Sequence, residues 1–280
     1  MSGFVTLLKI VWELSNMMSI DFNKYHGTGN DFILIDNRNS EEFLNQRQIA
    51  LLCHRRYGIG ADGLMLLLSS DDYDFEMKYF NSDGKEGSMC GNGGRCISAF
   101  ASDIGIIKNT TTFQAIDGLH KAIIKSSKEN ISFVEIKLNE VQKIHKIADK
   151  KYILNTGSPH YVEFIEDLDA IDTLQEGKRL RWDKQFQPHG INVNFVQKNR
   201  SKLQVTTFER GVENITLSCG TGVTASAIAA SAEMSDGKYS WDINTPGGDL
   251  SVSFVKENSQ FTDIWLKGPA EKVFAGTIMR

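Results

Sequence analysis

The feature that most constrains the fold of this chain is an internal repeat. The sequence C-G-x-G occurs at residues 90–93 and again at residues 219–222, 129 positions apart. Before each copy lies a run that alternates apolar and polar residues, at 75–80 and at 203–208. Such alternation is typical of a half-buried strand, so each copy is predicted to follow a strand.

Each copy is also followed by a stretch of small and apolar residues at helical spacing. The first helix is predicted to end at Gly105, and the second to continue through residues 223–234 and stop near Gly237. Both halves therefore have the order strand, loop, Cys-Gly-x-Gly, helix.

Two further pairs of motifs keep nearly the same offset. The run H-G-T-G-N at 26–30 corresponds to N-T-G-S-P-H at 155–160, and D-G at 117–118 corresponds to G-G at 247–248. Four correspondences in one order predict two copies of one α/β unit of the α+β type, rich in antiparallel hairpins and divided near Asn139. A cleft between two such copies is a common place for a ligand site.

The Cys-Gly-x-Gly segments have a definite chemistry. Glycines let the backbone approach a ligand closely. The first turn of a helix offers unpaired N–H groups and a positive partial charge, which suits a carboxylate. The same field is expected to lower the pKa of Cys90 and Cys219.

Two equivalent thiols suggest a specific reaction. A racemase without a cofactor needs a base on one face of a carbon and an acid on the other, and their protonation states must exchange on turnover. One thiolate and one thiol, Cys219 and Cys90, meet that demand, although the similarity of the halves leaves open which of them carries the charge. Facing helix ends could stabilise the negative charge that develops on the substrate.

Composition supports an ordinary globular enzyme. Hydrophobic residues make up 41% and charged residues 24% of the 280 residues, and the net charge of -4 gives no reason to expect nucleic acid as a partner. The other two cysteines, Cys53 and Cys96, are expected to pack in the core. The even count of four cysteines permits disulfides, but a chain of this length does not need them, and the spacing fits no common metal site. The compartment is read as cytoplasmic, with reduced thiols.

The first 19 residues are expected to lie outside the fold as an N-terminal extension. Their apolar run is interrupted by Lys9 and followed by Glu13, too short to span a membrane. A short amphipathic docking helix is the alternative interpretation of this segment.

Five motifs taken together resemble those of the diaminopimelate epimerase family. The chain has K-Y-H-G-T-G-N-D-F at 24–32, N-S-D-G at 81–84 with C-G-N-G-G-R-C at 90–96, and F-E-R-G at 208–211 with the second C-G-x-G. The runs G-S-P-H at 157–160 and G-I-N at 190–192, which lie between the two cysteine motifs, also match the family in their order.

The resemblance implies two pseudo-symmetric domains, residues 20–138 plus 271–280 and residues 139–270, with the active site in the cleft between them. It implies interconversion of LL- and meso-2,6-diaminopimelate for lysine biosynthesis, without pyridoxal phosphate or metal, by a homodimer. No membrane or nucleic acid partner is implied.

The resemblance also assigns roles to residues. Cys90 and Cys219 correspond to the acid/base pair, with Cys219 as acceptor and Cys90 as donor in the LL-to-meso direction. His160 and Glu209 correspond to residues that tune the thiols. The substrate-binding residues that it implies are Asn30, Asn81, Gly91, Asn92, Ser158, Asn192, Glu209, Arg210, Gly220 and Thr221.

Three positions depart from the family pattern. Ser158 stands where many members have Asn, and Gly63 stands where some have a Gln that contacts substrate. The segment 212–218 is one residue longer than the common spacing before the second cysteine.

Two other functions remain open at this point. A proline or hydroxyproline racemase could use the same duplicated fold, although Arg210 and the several asparagines suit a substrate with a second charged end. A binding module without cysteine chemistry is disfavoured by the presence of both thiols.

Overall fold

The computed structural model describes residues 19–39 and 44–279. Residues 1–18 of the expected N-terminal extension lie outside the described residues, and Ser19 is the first residue of a strand.

The first half contains eight strands and two helices. The strands are β1 (Ser19–Gly27), β2 (Asn30–Asp36), β3 (Gly63–Leu68), β4 (Phe75–Asn81), β5 (Glu86–Gly87), β6 (Thr110–Ala115), β7 (Gly118–Lys128) and β8 (Ile131–Lys137). The helices are α1 (Gln46–Cys53) and α2 (Gly91–Asp103).

The second half repeats this order. Its strands are β9 (Ile144–Ala148), β10 (Lys151–Asn155), β11 (Pro159–Ile165), β12 (Asn192–Asn199), β13 (Lys202–Glu209), β14 (Asn214–Thr216), β15 (Gly237–Thr245), β16 (Gly248–Glu257) and β17 (Gln260–Met279). Its α-helices are α3 (Thr173–Arg181) and α4 (Gly220–Ala230), and two 3₁₀ turns lie at Leu168–Ala170 and Lys184–Phe186.

Strand pairing closes each half around its second helix. In the first half the order around the ring is β1, β2, β3, β4, β6, β7, β8, β17 and back to β1. In the second half β10, β11, β12, β13, β15, β16 and β17 follow in the same sense, and the bridge from Val141 to Phe261 together with β9 completes the ring. The enclosed helices α2 and α4 are almost wholly buried. Helix α4 is built of small and apolar residues on every side, whereas α2 also buries Asn92 and Arg95.

The 20-residue strand β17 belongs to both barrels. Its first part pairs with β16, residues 268–271 pair with β8, and residues 271–279 pair with β1. The two halves are therefore joined by continuous backbone hydrogen bonding as well as by packing.

Corresponding strands share one register, which defines matched positions in the two halves. Phe32 lies opposite Gly63 in the parallel pair β2–β3, as His160 lies opposite Asn192 in β11–β12. Two residues further along, Met65 and Asn194 are matched, and their antiparallel partners Tyr79 and Thr207 are matched in turn. The backbone repeat that the sequence predicts is therefore confirmed at the level of hydrogen bonding.

The outer helices complete the core of each half. On β2, alternate residues point to two clusters, with Phe32 and Leu34 inside the barrel and Ile33 and Ile35 under α1. Helix α3 covers β12 and β13 in the same way in the second half. Both faces of β2 are covered, and it accordingly has a continuous apolar run over residues 32–35, whereas β12 and β13 keep polar residues among their apolar ones.

Helix α2 ends as predicted, while α4 ends earlier. Gly105 adopts a φ of 77° just after α2, which favours glycine. Helix α4 stops at Ala230 rather than continuing to Met234, because Ser231 and the residue after it bond to carbonyls three positions back, and the Ser231 hydroxyl accepts from the Trp241 indole at 2.8 Å. Within the described ranges, no helix is long and apolar enough to cross a membrane.

Candidate active site

The N-termini of α2 and α4 meet at the junction of the two halves. A Cβ atom built on Gly220 would lie 3.4 Å from the Cα atom of Gly91, and one built on Gly91 would lie 3.7 Å from the Cα atom of Gly220. Leu266 of β17 packs against both glycines, at 2.9 and 2.7 Å from those positions. The absence of side chains at these two positions therefore allows two helix ends, each a site for an anion, to share one space.

Cys90 and Cys219 are the N-cap residues of these two helices. The Cys90 sulfur accepts from the Gly93 N–H at 3.2 Å, so it caps its helix directly. The Cys219 sulfur instead lies 3.5 Å from the hydroxyl oxygen of Thr221. Within the described residues, only Cys219 of this matched pair thus has a side-chain hydroxyl beside its sulfur.

The backbone N–H groups at the helix ends act to lower the pKa values of both thiols, as expected, but the net shift of each pKa is upward. Burial raises the pKa of Cys90 above its ordinary value and raises the pKa of Cys219 to about 12, and the negative charge of Glu209 acts on both in the same direction. Desolvation outweighs the helix end because the thiolate loses more solvation free energy on leaving water than it regains from the N–H groups of one helical turn.

His160 lies wholly inside the second barrel. Its Nδ1 atom is 3.0 Å from the side-chain nitrogen of Asn194, and its Nε2 atom is 3.0 Å from the Thr221 hydroxyl. Burial lowers the pKa of His160 to about 3, and the positive charge of Arg210 acts in the same direction. His160 is therefore a neutral imidazole near pH 7, connected to Cys219 through Thr221.

Asn192 links three parts of the second half. Its side-chain nitrogen donates to the Ser158 hydroxyl at 2.6 Å and to the Pro159 carbonyl at 3.2 Å, and its oxygen accepts from the Arg210 backbone N–H at 2.9 Å. The serine at position 158 is thus held against Asn192. The Arg210 guanidinium donates to the carbonyl of His189 at 3.2 Å, so both the backbone and the side chain of Arg210 are held by hydrogen bonds.

The loop that carries Arg210 is held by an ion pair. Glu213 accepts from the Arg181 Nε atom and from the Gly211 N–H, each at 3.0 Å, and its own N–H donates to the carbonyl of Glu209. Position 213 lies in the segment whose length departs from the family pattern, and here residues 211–213 form a turn that leads into β14.

Asn30 and Asn92 connect the first half to the second. Asn92 donates to Asn30 at 3.3 Å and to the carbonyl of Ser218 at 3.4 Å. Asn30 in turn donates to Asp62 at 2.8 Å. Asn30 lies at the start of β2, so these side chains gather at the same edge as the two helix ends.

Asn81 and Glu209 occupy matched positions at the ends of β4 and β13. Asn81 is opposite Gly63, and Glu209 follows Phe208, which is opposite Val193. Burial raises the pKa of Glu209, with a further contribution from the negative charge of Asp62. The duplicated strands therefore end in an amide in one half and a carboxylate in the other.

The ring of Tyr79 accounts for the absence of a side chain at Gly63. A Cβ atom on Gly63 would lie 2.5 Å from the ring and 2.9 Å from the hydroxyl oxygen of Tyr79, so the ring occupies the space that a side chain at position 63 would need. The charges of Cys90 and Asp62 contribute to a raised pKa of Tyr79, whose main cause is burial. Tyr79 is thus part of the site, although its matched position in the other half is a threonine.

Arg95 is the largest fully buried side chain in the described chain. Its guanidinium donates to neutral oxygens, namely those of Gly91, Asn92, Thr28 and Pro269. Burial lowers its pKa, and its positive charge opposes the rise in the pKa of Cys90.

Several of these residues were not found from the sequence. Tyr79, Asp62, Arg95, Asn194 and Thr207 each contact or influence the predicted site residues. A signal existed for Asn194, since a polar residue at an inward position of a strand buried on both faces needs a partner. The others required knowledge of which strands are neighbours.

Cys53 and Cys96 are buried in the cores of the first half, as the sequence predicts. Burial raises the pKa of Cys53 to about 11 and that of Cys96 as well. Among residues 19–39 and 44–279, no group of three or more His, Cys, Asp or Glu side chains is arranged to hold a metal ion.

The sequence of this chain is similar to those of known proteins over most of its length. The family model for diaminopimelate epimerase matches residues 22–144 and 152–273. A diaminopimelate epimerase from Flavobacterium psychrophilum is 50% identical over 258 residues, covering 91% of this chain and 98% of its own. One from Aquifex aeolicus is 36% identical over 278 residues, covering 92% and 98%.

Structural comparison finds the same architecture in more distant proteins. A Bacillus anthracis phenazine biosynthesis protein of the PhzF family superposes with a TM-score of 0.75 at 14% identity, covering 94% of this chain and all of the other. A hydroxyproline epimerase from Agrobacterium vitis superposes with a TM-score of 0.68 at 12% identity, covering 93% and 92%. At such low identities the likeness concerns the fold alone.

Proposed function

The chain belongs to the diaminopimelate epimerase family, and from that premise we propose that it interconverts LL- and meso-2,6-diaminopimelate. The enzyme is an isomerase that serves lysine biosynthesis, and the reaction uses the protein's own thiols without a cofactor. It removes a proton from one face of a single carbon and adds another proton to the opposite face.

The reaction consists of two proton transfers. A thiolate removes the α-proton and leaves its electron pair on the substrate as a carbanion delocalised into the neighbouring carboxylate. The thiol of the other cysteine then donates its proton to the opposite face of the carbon. The first cysteine ends protonated and the second ends as the thiolate, so atoms and charge balance and the reverse reaction uses the same groups.

The observation that carries this proposal is the meeting of two cysteine-capped helix ends at Gly91 and Gly220. Backbone N–H groups of residues 91–92 and 220–221 are suited to hold one carboxylate between them. The negative charge that grows on this carboxylate during proton removal is stabilised by donors that are already in place.

The second end of the substrate is also an amino acid. Arg210 is suited to its carboxylate, and Glu209 with the neighbouring side-chain amides is suited to its ammonium group. We assign Asn30, Asn81, Ser158, Asn192, Glu209 and Arg210 to substrate binding. Asn192 serves this role chiefly by holding Ser158 and Arg210, since its amide is already bonded to both.

We infer from the family that the protein is a homodimer and that it acts in the cytoplasm. Light scattering on the purified protein at several concentrations tests the dimer, and a constant monomer mass would contradict it.

The decisive experiment measures loss of the substrate α-hydrogen in D₂O without added cofactor. The wild-type protein is expected to exchange and epimerise diaminopimelate, and both Cys90→Ala and Cys219→Ala are expected to lose epimerisation. Cys53→Ala, which changes a buried cysteine outside the site, is the matched control and should retain activity. Epimerisation by either active-site variant at the wild-type rate contradicts the two-thiol mechanism.

A substrate panel separates this function from that of the distant structural relatives. Proline and hydroxyproline lack the second charged end for which Arg210 and Glu209 are suited. Turnover of proline together with inactivity on diaminopimelate would overturn the proposed substrate while leaving the thiol chemistry intact.

A further inference from the structure

A chain of polar side chains leads from the interior of the second barrel to Cys219. We call Thr207, Asn194, His160 and Thr221 the relay. The hydroxyl of Thr207 lies 2.9 Å from the side-chain oxygen of Asn194, and the side-chain nitrogen of Asn194 lies 3.0 Å from His160 Nδ1. From His160 Nε2 the distance to the Thr221 hydroxyl is 3.0 Å, and from there to the Cys219 sulfur it is 3.5 Å.

The position of each proton in the relay follows from one backbone group. The side-chain nitrogen of Asn194 lies 2.8 Å from the carbonyl oxygen of Tyr161, which can only accept, so the orientation of the amide is fixed. The same nitrogen therefore donates to His160 Nδ1, and this ring atom carries no proton. A neutral imidazole must then carry its proton on Nε2 and donate it to Thr221.

The hydroxyl of Thr221 is oriented as a result. Its oxygen accepts from His160, so its own proton is free to bond elsewhere, and the Cys219 sulfur is the remaining hydrogen-bond partner of this oxygen within the described residues. A hydrogen bond donated to a thiolate favours the charged form of that thiol. The relay thus opposes the effect of burial at Cys219.

The first half has the same backbone but no relay. At the register positions of His160, Asn194 and Thr207 it carries Phe32, Met65 and Tyr79. Phe32 takes the place of the imidazole, so the first half has no tautomer to fix, and its ring packs edge-on against Tyr79 with their centroids 6.0 Å apart.

The residue that matches Thr221 is Asn92, and its side chain faces away from the thiol of its own half. Its oxygen accepts from Arg95 at 3.0 Å, and its nitrogen donates to Asn30 and Ser218. Among residues 19–39 and 44–279, the Cys90 sulfur accordingly receives a backbone N–H from Gly93 and no side-chain hydroxyl.

We propose that Asn194 is a positioning residue that fixes the tautomer of His160, aims the Thr221 hydroxyl at Cys219 and thereby favours the thiolate at Cys219 over that at Cys90. This inference rests on the proposed two-thiol function for its catalytic meaning, since it assigns the resting charge within the pair. It breaks a symmetry that the duplicated backbone would otherwise impose.

Four other charged or titratable groups act on the two thiols or on His160: Glu209, Arg95, Arg210 and the neighbouring cysteine. Glu209 raises the pKa of both thiols, at Cys219 by more than the Thr221 hydroxyl lowers it, and Cys90 also raises that of Cys219, so the relay acts against these charges. Arg95 favours the thiolate at Cys90, and Arg210 favours the neutral form of His160. Because Arg95 opposes the selection, the test must follow each cysteine separately.

The variant Asn194→Asp keeps the size of the side chain but removes the donor to His160 Nδ1 and to the Tyr161 carbonyl. A carboxylate can only accept, so the His160 proton moves to Nδ1 and Nε2 becomes an acceptor. The Thr221 hydroxyl then donates to His160 and no longer to Cys219. Thr221→Val removes the final donor directly and decides the question if Asn194→Asp fails to fold, while Thr221→Ser retains the hydroxyl.

The measurement is the rate of iodoacetamide alkylation of each cysteine, resolved by peptide mass spectrometry on the full chain without substrate. At about pH 8, below the raised thiol pKa values, this rate follows the thiolate fraction. Asn194→Asp and Thr221→Val should each slow alkylation of Cys219 by about tenfold, as expected for one pKa unit, and leave Cys90 within about twofold. Thr221→Ser should restore the wild-type rate, and Ser226→Ala, a buried hydroxyl variant on the same helix, should not alter it.

Wild-type alkylation of Cys219 in the folded variants, or an equal slowing of both cysteines, would overturn the proposal. A wild-type protein that fails to exchange the α-hydrogen of diaminopimelate contradicts the proposed function instead. The two failures are distinguishable because the alkylation rates do not depend on any substrate.

Discussion

Gly91 and Gly220, the first residues of the two enclosed helices, approach each other so closely that a methyl group on either would contact both the opposite glycine and Leu266. This contact sets the distance between the two cysteine-capped helix ends. Since neither glycine has a positive φ, the requirement is one of space and not of backbone conformation.

Gly220→Ala is therefore expected to force the halves apart or to displace Leu266. Overpacking of this kind costs about 1–3 kcal/mol of unfolding free energy. Misplacement of the two thiols should also reduce kcat by at least about tenfold, because proton transfer depends on alignment within fractions of an ångström. Urea denaturation and the epimerisation rate measure the two effects.

The double variant Gly220→Ala with Leu266→Val identifies the cause. If Leu266 is the obstacle, the second change should recover part of the stability that the first removes. Strictly additive losses would instead attribute the effect to the contact between the helices.

Tyr79→Phe should weaken substrate binding without affecting the fold. The ring fills the space beside Gly63 and stays in the variant, whereas the hydroxyl, which makes no hydrogen bond within the described residues, is lost. We expect kcat/KM to fall by about 2–10-fold, which is the contribution of one hydrogen bond. Tyr239→Phe removes a hydroxyl bonded to the Ser235 carbonyl outside the site and is the control. Unchanged kinetics for Tyr79→Phe would show that the hydroxyl does not bind substrate.

Of the two active-site thiols, Arg95→Met should change the pKa of Cys90 and not that of Cys219. The buried guanidinium favours the Cys90 thiolate, so its loss should slow alkylation of Cys90 and leave Cys219 nearly unaffected. Arg95→Lys keeps the charge and should retain most of the Cys90 rate. An identical Cys90 rate in Arg95→Met and wild type would mean that the charge is screened from the thiol.

The stability of the protein should depend on pH through His160. Its pKa is about 3 in the folded state and near 6.5 when exposed, so the unfolded chain binds the extra proton between these values. The contribution to stability is therefore fully present above about pH 6.5 and is lost as pH falls toward 3, with a slope of at most about 1.4 kcal/mol per pH unit.

Urea denaturation of wild type and His160→Gln between about pH 4 and 7 isolates this contribution, because the carboxylates titrate in both proteins. The wild-type curve should fall more steeply with acid. Parallel curves would show that His160 takes up a proton as readily in the folded as in the unfolded chain, contrary to the low pKa that its burial gives it.

The sequence was sufficient for those parts of the structure that depend on short-range patterns. Alternation with period two identified β4 and β13, glycines marked the turns and the end of α2, and the offset of the repeats revealed the duplication. The same reasoning put Cys90 and Cys219 at helix starts, because an N-cap and its glycine-rich first turn are local features.

The early end of α4 was not predictable from such patterns. It depends on Trp241, which meets Ser231 only after the strands that follow the helix have folded back. The role of Tyr79 beside Gly63 likewise required the register of β3 against β4.

By itself, the sequence determined that this protein consists of two similar halves, each with a cysteine at the start of an enclosed helix. Only the tertiary structure decided how those cysteines differ. Burial raised thiol pKa values that the helix ends alone would lower, and the relay from Thr207 to Thr221 reached Cys219 while Phe32 and Met65 took the matched places near Cys90. Solvation and hydrogen-bond direction depend on groups far apart in the chain, so a repeated local pattern can fix a symmetric backbone but not the charge it carries.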